Sequence, residues 1–376
     1  VYITELKTDL TAHRAYAEID VSAIKHNYKY IQSLVPGAKI IAIVKANAYG
    51  HGAVKVAEAL SEIGCDCYAV ACLEEAIQLR TSGIKGDILI LGVTPEEDAP
   101  DLERYDITQA VTSADYAKAL ASKANVKVHI KVDTGMSRLG IYCHKNSEVT
   151  LAADSASEIF ATKGITVKGI FTHFAESDDP ASNATDKQYK LFVALCDELK
   201  NRGLDVGVRH CCNSAAILRY PQMKLDAVRP GIILYGHSPA PETITDANLT
   251  PAMKVCCRVY SVKKLSKGDK VSYGGGYTVP QDMDVAVISI GYADGFSRIL
   301  SGKVKVKIGG VECPVIGRIC MDLCMVDVSA LKGVKRGDIA VIFDDCDSVC
   351  RLAEIMNTIN YEVLCMFRQR VAQVYI

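Results

Sequence analysis

Between residues 39 and 236, short β-branched runs recur with helix-forming segments between them. That alternation limits the possible folds more than any other feature of the chain. The runs cover 39–44, 67–71, 87–91, 107–111, 127–133, 167–173, 208–213 and 227–235. The intervening segments 53–63, 73–81, 113–124 and 185–202 are rich in Ala, Glu, Lys and Leu. Their apolar residues fall near i, i+3 and i+4, so they are expected to be helices. Asp, Ser or Thr near their starts, and Gly64 and Gly203 after the first and last, fit helix caps. Strands alternating with helices form a parallel sheet, because parallel neighbours need a crossover. About eight such units predict an α/β chain built on a (β/α)8 TIM-like barrel.

After Pro251 the texture changes. Short strands are expected over 255–265, 270–273, 285–290, 304–308, 311–316, 324–328 and 338–343. Lys-Gly-Asp, Gly-Gly-Gly, Gly-Gly and Arg-Gly-Asp turns separate them, and only 351–359 reads as helix. The expected organisation is a leader at 1–13, a barrel over 14–245 and a mostly-β C-terminal domain over 246–376. At 376 residues the chain has the length of about two domains. Apolar residues at 49% and charged residues at 23% exclude wholesale disorder. A net charge of −1 argues against nucleic acid or an anionic membrane as the main partner. No apolar run approaches the ~20 residues of a membrane span, so this segment is expected to make no membrane contact. There is no signal-peptide pattern.

The fifteen cysteines include no C-x-x-C pair. The close ones are Cys65 and Cys67, Cys211 and Cys212, Cys256 and Cys257, Cys320 and Cys324, and Cys346 and Cys350. Those spacings do not suit a zinc ribbon or a redox motif, so no metal is expected. Most lie in apolar runs, where a free thiol packs as a small core residue, and a cytoplasmic, reducing compartment is expected. The chain starts at Val1 rather than Met, as a piece cut from a longer protein would.

In such a barrel the chemistry sits at the C-terminal strand ends. The first run closes on Lys45, within Val-Lys-Ala-Asn-Ala-Tyr-Gly-His-Gly at 44–52. A strand-end lysine often does no more than reach for water; partly buried, with a lowered pKa, it suits a Schiff base. The fifth run leads into Lys131 and, in the following loop, Arg138. The sixth ends at His173, the seventh just before Ser214, and the eighth holds Arg229, Gly231 and Ile232. Singly, His173 reads as a structural histidine and Arg229 as half of an ion pair. Together they make one cationic mouth. Ser214 at a helix start and the glycine at 231 can present N–H groups to a phosphate on the seventh and eighth loops. A Schiff-base lysine beside a phosphate site points to pyridoxal 5'-phosphate (PLP).

Segments 45–52, 131–140, 172–174, 228–236, 271–274, 290–295 and 317–324, in this order, resemble the PLP-dependent alanine racemases of fold type III. The resemblance runs from about residue 14 to 375. It implies a PLP barrel followed by a β-domain, a head-to-tail homodimer with shared active sites, and a small amino-acid substrate. Racemisation removes an α-proton from one face and returns one to the other, so a rigid site wants two bases. By resemblance these are Lys45 and, from the partner subunit, a residue matching Tyr273 in Val-Ser-Tyr-Gly at 271–274. A tyrosine near its usual pKa of ~10 is a poor base, so cations must depress it. Arg229 matches the residue beside the pyridine nitrogen, where an always-protonated guanidinium leaves that nitrogen neutral and limits side reactions. His173 is expected to orient Arg229. Tyr49, Ser214, Gly231 and Ile232 match phosphate contacts, and Arg138 the residue near the cofactor hydroxyl and substrate carboxylate. Lys131 matches a lysine carbamylated in many members, whose new charge would hold Arg138. Met321 and Asp322 match substrate-side positions from the partner, and Tyr292 the narrow access path. The activity implied is L/D-alanine interconversion supplying D-amino acids for peptidoglycan.

The pattern breaks at Gln369, where the family has a tyrosine near the phosphate and substrate side chain. Glutamine is smaller and both donates and accepts hydrogen bonds, so it leaves room for a hydroxymethyl group. A pocket that merely admits a hydroxyl discriminates weakly, so alanine should still react beside serine. This resembles the membrane-anchored serine racemases of vancomycin resistance, whose racemase domain follows a membrane domain. A strictly housekeeping alanine racemase is the alternative. A fold-related PLP decarboxylase would want an acidic partner for the pyridine nitrogen, against which Arg229 speaks. A cofactor-managing PLP-binding protein would lack the second domain. A cysteine-based metal or redox module would show C-x-x-C pairs.

Overall fold

The structure, a computed structural model, describes residues 13–367 and 370–376. The chain divides into two units. One comprises Ile24–Ala48 and Gly52–Thr250; the other comprises Pro251–Ile376, Tyr49–His51 and the described residues through Ala23.

In the first unit the strands Cys67–Val70, Asp87–Ile90, Thr108–Val111, Val126–Asp133, Ile165–Phe171, Val208–His210 and Ala227–Val228 pair in parallel, each with the next. The series closes on itself. Ala227–Val228 pairs with Lys39–Ile40, and Cys67–Val70 with Ala42–Ile43. These last two pieces are halves of one strand interrupted at Ile41, whose N–H still donates to the Val228 carbonyl at 2.9 Å. The nine segments on the path therefore make eight staves, the expected (β/α)8 barrel. Cys67–Val70 and Thr108–Val111 are buried at every position, as parallel strands between a filled interior and covering helices must be. Each fully buried Ile, Leu or Val contributes about 1.5–3 kcal/mol.

Helices occupy Ala53–Ser61, Leu73–Thr81, Ala114–Ala121 and Ala184–Asn201, where periodicity predicts them. Ser113 caps the third, its Oγ accepting from the Tyr116 N–H at 3.1 Å. Three further helices, Val21–Leu34, Ala99–Arg104 and Val149–Ala161, were not apparent in the pattern. The last buries Ala152, Ala153, Ala156 and Ile159, a face of mostly small residues. The expected strand over 227–235 stops at Val228. Pro230 cannot donate to a ladder, and Ile232–Tyr235 wind into a 3-10 turn.

The barrel does not begin at residue 14, as the pattern predicts. Ala15–Ile19 pairs antiparallel with Met253–Leu265 and parallel with Ala372–Tyr375, so this strand belongs to the second unit. A five-residue strand carries no local sign of which partner it will take. The second unit's sheet runs in the order Met283–Ile288, Cys324–Asp327, Val311–Ile316, Lys305–Ile308, Ile339–Phe343, Met253–Leu265, Ala15–Ile19, Ala372–Tyr375. Met253–Leu265 is long enough to serve two sets of partners. Its first half pairs with Ala15–Ile19 and Ile339–Phe343; its second half turns at Val259/Ser261 and pairs with Met283–Ile288, closing a ring. The helix expected over 351–359 is Cys346–Met356, capped by Asp345, followed by Asn360–Met366. Ten of the fifteen cysteines are buried. Among the described residues no helix is long and apolar enough to cross a membrane.

One local feature bears directly on the barrel mouth. Ala46, Asn47, Ala48 and Tyr49, immediately after Lys45, all lie at positive φ, between 52° and 55°. A left-handed turn costs an L-residue about 1–2 kcal/mol at each position. Asn47 helps to hold it: its Oδ1 accepts from the Ala53 N–H and its carbonyl from the Gly52 N–H, both at 2.9 Å. The Ala46 N–H donates to Glu75 Oε1 at 2.6 Å. Ala46→Gly, which in an ordinary helix costs about 1 kcal/mol, is expected here to be neutral or stabilising, as denaturant midpoints of the two proteins will test.

Candidate active site

Parallel pairing brings the strand ends to one mouth, and the expected residues occupy five adjacent staves. In order around the barrel, the stave ending at Ile43 leads into Lys45, and Ala227–Val228 into Arg229, Gly231 and Ile232. Val208–His210 leads to Ser214, Ile165–Phe171 to His173, and Val126–Asp133 carries Lys131 and leads to Arg138. The Ile43 N–H donates to the Pro230 carbonyl at 3.0 Å and the Arg229 N–H to the Cys212 carbonyl at 2.9 Å, so these ends are in register.

Arg229 is the hub. It is 3% exposed and forms no hydrogen bond to a carboxylate among the described residues. Nη1 donates to His210 Nδ1 at 2.7 Å and to the His210 carbonyl at 3.0 Å. Nη2 donates to the carbonyls of Thr172 (2.7 Å) and Cys211 (3.1 Å) and reaches His173 Nδ1 at 3.3 Å. The guanidinium lies 5.2 Å over the Phe171 ring, which stacks on His210. Burial lowers its pKa to about 10, so it stays charged at neutral pH. Arginine can only donate, so both histidines accept at Nδ1 and carry no proton there. The nearer orienting contact is His210, not His173. His210 Nε2 then carries its ring's proton and donates to His129 Nδ1, 2.8 Å away. A Cβ on Gly169 would lie 2.6 Å from His129 Cε1, so only glycine admits this ring.

Burial, then the charge of Arg229, lowers the pKa of all three histidines: His129 to about 4, His173 and His210 well below the usual value. His173 also feels the charges of Lys131, Arg138 and Lys45. Lys131 is buried and its Nζ donates to the Val132 carbonyl at 2.8 Å. Burial, followed by Arg229, lowers its amine to about 7 against the opposing pull of Asp133, with Arg138 lowering it further. Asp133 Oδ1 accepts from the N–H groups of Gly135, Met136 and Ser137, each at 3.0 Å, pinning the loop that carries the exposed Arg138.

Ser214 opens the helix Ser214–Arg219, capped by Asn213, whose Oδ1 accepts from the Ala216 N–H and from Ser177 Oγ. Buried Ser214 Oγ accepts from the Gly231 N–H at 2.9 Å, which leaves its own proton to donate. An amine at Lys45, a hydroxyl donor at Ser214 beside the Gly231 turn, and a cation at Arg229 fit a phosphorylated pyridine aldehyde.

The remaining expected residues lie in the second unit. Tyr273 is 69% exposed and follows Ser272, which sits at φ 67° and donates from Oγ to the Arg318 carbonyl at 2.6 Å. The Tyr292 and Ala293 N–H groups donate to the carbonyls of Cys320 and Met321, both at 3.0 Å, so the 3-10 turn Tyr292–Asp294 abuts Met321. Both Tyr292 and Met321 are exposed. Asp322 pairs with Arg370 at 2.6 Å, and Arg370 also reaches buried Asp294 at 3.3 Å. Tyr273, Tyr292, Met321 and Asp322 are thus brought together along the 318–322 loop. Tyr49 is buried beside Tyr361, with ring centroids 6.0 Å apart. Gln369 falls outside the described residues.

His129, His210 and Phe171 were not singled out from sequence. One signal was available: His129, Lys131 and Asp133 alternate on one strand and therefore share a face.

A barrel with an amine and buried cations at its mouth, carrying a second β unit, defines a class of enzymes, and comparison with known proteins gives the family. The profile of the alanine racemase N-terminal domain matches residues 19–239, and that of the C-terminal domain residues 252–375. An alanine racemase of Desulforamulus reducens is 43% identical over 96% of this chain and 98% of its own. Alanine racemase 1 of Clostridium acetobutylicum is 42% identical over 96% and 95%. The solved structure of a Clostridium difficile alanine racemase superposes with a TM-score of 0.92 at 38% identity, covering 96% of each chain. That of Bacillus anthracis, with bound L-Ala-P, gives 0.89 at 33%, covering 97% of this chain and 95% of its own. The chain belongs to the alanine racemases, a PLP-dependent family.

The neutral histidines make stability depend on acid. An unfolded histidine binds a proton near pH 6.5, whereas folded His129 does so only near 4. Stability is therefore full above about pH 6.5 and falls as pH drops toward about 4, by about 3 kcal/mol from this residue alone. His129→Asn, which can still accept from His210, is expected to flatten that acid limb, read as melting temperature against pH.

Proposed function

We propose that the chain interconverts L- and D-alanine with two bases, Lys45 of one subunit and a tyrosine contributed by its partner at the position of Tyr273. The observation that carries this reading is the placement of Lys45, Arg229, Ser214, His173 and Lys131 on five adjacent staves of one barrel. When bound, the cofactor supplies an aldehyde that takes the substrate amine and a conjugated ring that withdraws the charge left by the α-proton. The chain's residues do the rest. The amine of Lys45 takes or returns a proton on one face; the partner's tyrosine at the position of Tyr273 does so on the other. The fixed charge of Arg229 leaves no proton to place on the ring nitrogen. Ser214, with the N–H groups of the Gly231–Ile232 turn, binds the phosphate. Arg138 holds the substrate carboxylate, and the partner's residues at the positions of Tyr292, Met321 and Asp322 line the approach. The exposure of Tyr273, Tyr292 and Met321 supports a homodimer in which these residues face a partner. Cytoplasmic supply of D-alanine to peptidoglycan is the role this reading fits.

The test is complementation. Lys45→Ala is expected to abolish covalent cofactor attachment, read from its visible absorption. Tyr273→Phe is expected to lose racemisation in both directions, which an equilibrium constant of one ties together, while retaining cofactor. Unfolded together and reassembled, the two inactive proteins should recover about a quarter of the wild-type sites, because half the dimers then hold one intact site. No recovery in a mixture shown to contain mixed dimers would place both bases in one chain. Alanine and serine are assayed side by side; comparable kcat/KM values would favour serine as a second substrate, a reading that rests on Gln369 alone, and turnover of alanine alone would make that change drift.

Lys131 is a carbamylation site in this reading. A pKa of about 7 leaves much of the amine neutral at physiological pH. Nζ attacks carbon dioxide, the N–C bond forms and an N–H proton leaves, giving a carbamate anion beside Arg138. The carbamate should form above about pH 7 and diminish below it. A carbon-13 carbonyl resonance from labelled bicarbonate, absent in Lys131→Arg, is the expected signature.

A further inference from the structure

We propose that Gln188 is a positioning residue of this site, a single buried amide that couples the loop bearing Arg138 to the strand end bearing His173 and the anchor of Arg229. The inference rests on the reading of Arg138 as the carboxylate contact. Gln188 lies on the helix Ala184–Asn201 and is 3% exposed. Its amide points away from its own helix. Oε1 accepts from the Ala175 N–H at 2.9 Å, and Nε2 donates to the His173 carbonyl at 3.1 Å and to Thr134 Oγ1 at 3.3 Å. Every one of these partners lies at the end of, or in the loop after, one of two adjacent staves.

The coupling extends one step on each side. Thr134 Oγ1 and Thr172 Oγ1 are 2.7 Å apart, and the Thr172 carbonyl accepts from Arg229 at 2.7 Å. Gly135 packs on the stem of Gln188: a Cβ there would meet Gln188 Cγ at 3.4 Å, at a φ of +141° that already favours glycine. A residue that merely filled the core would need no polar end. This amide uses both of its donors and its acceptor, and spends all three on the two loops.

The chemistry of the contact makes the role testable. A glutamate at 188 could still accept from the Ala175 N–H, but its ionised second oxygen would face the His173 carbonyl. Protonated, it would donate there as the amide does. Burial against a carbonyl raises a carboxyl pKa into the range where enzyme assays run. The ratio of kcat/KM for alanine in Gln188→Glu to that of wild type should therefore rise as pH is lowered. In Gln188→Met, of similar volume but without these bonds, the ratio should stay low and flat. The loss in the methionine protein should fall mainly on KM, by about tenfold, the size of one lost buried hydrogen bond. Amide exchange of residues 134–138 should quicken in Gln188→Met with and without cofactor. A glutamate ratio that does not move with pH, or exchange at 134–138 that matches wild type, overturns the proposal. Arg138→Lys is the control: if it leaves KM unchanged, the carboxylate reading fails, and the exchange result alone decides whether Gln188 couples the loops.

Discussion

A buried guanidinium with no carboxylate partner among the described residues sets the conditions for the rest of the barrel mouth. Arg229 gives its protons to carbonyls and to two imidazole nitrogens, none of which cancels its charge. Any group nearby that could become positive is opposed. The three histidines stay neutral for this reason as well as from burial, and Lys131 is lowered far enough to be a nucleophile. An anion entering the site meets cations already stripped of water, which makes its attraction stronger than at an exposed surface.

Charge alone would not place a ligand; the loops must be held still. The Arg138 loop hangs on Asp133, which offers one oxygen to three successive N–H groups. Burial raises the Asp133 carboxyl, but those donors and His144 more than offset it, so it stays ionised and keeps the turn closed. Asn213 caps the Ser214 helix and ties it to Ser177 in the preceding loop. The left-handed turn after Lys45 stores strain that a floppy segment would release. Each device acts on a loop at the barrel mouth.

Much of the mouth was legible because the barrel puts its chemistry at strand ends, and strand ends can be found from local pattern. Lys45, Ser214, Arg229 and His173 were found that way. His210 and Phe171 were not, because nothing local distinguishes a histidine that accepts from a buried arginine from one that fills space. Gln188 was hidden for a related reason: on its helix it reads as one polar residue among many, and its partners lie 13 to 54 residues away. Tyr273, Tyr292, Met321 and Asp322 were recognised only by resemblance, since exposed residues carry no periodic signal.

By itself the sequence determined the alternation of strand and helix, hence a parallel barrel, and the set of amines, guanidiniums and hydroxyls at its open end. These follow from local periodicity and from the chirality of the chain, which act over a few residues. Tertiary structure alone decided that the sheet closes through a strand broken at Ile41, that Ala15–Ile19 joins the other sheet, and that three histidines stand neutral around Arg229. Those outcomes depend on pairing across tens to hundreds of residues and on the removal of water from groups that meet only in the folded chain.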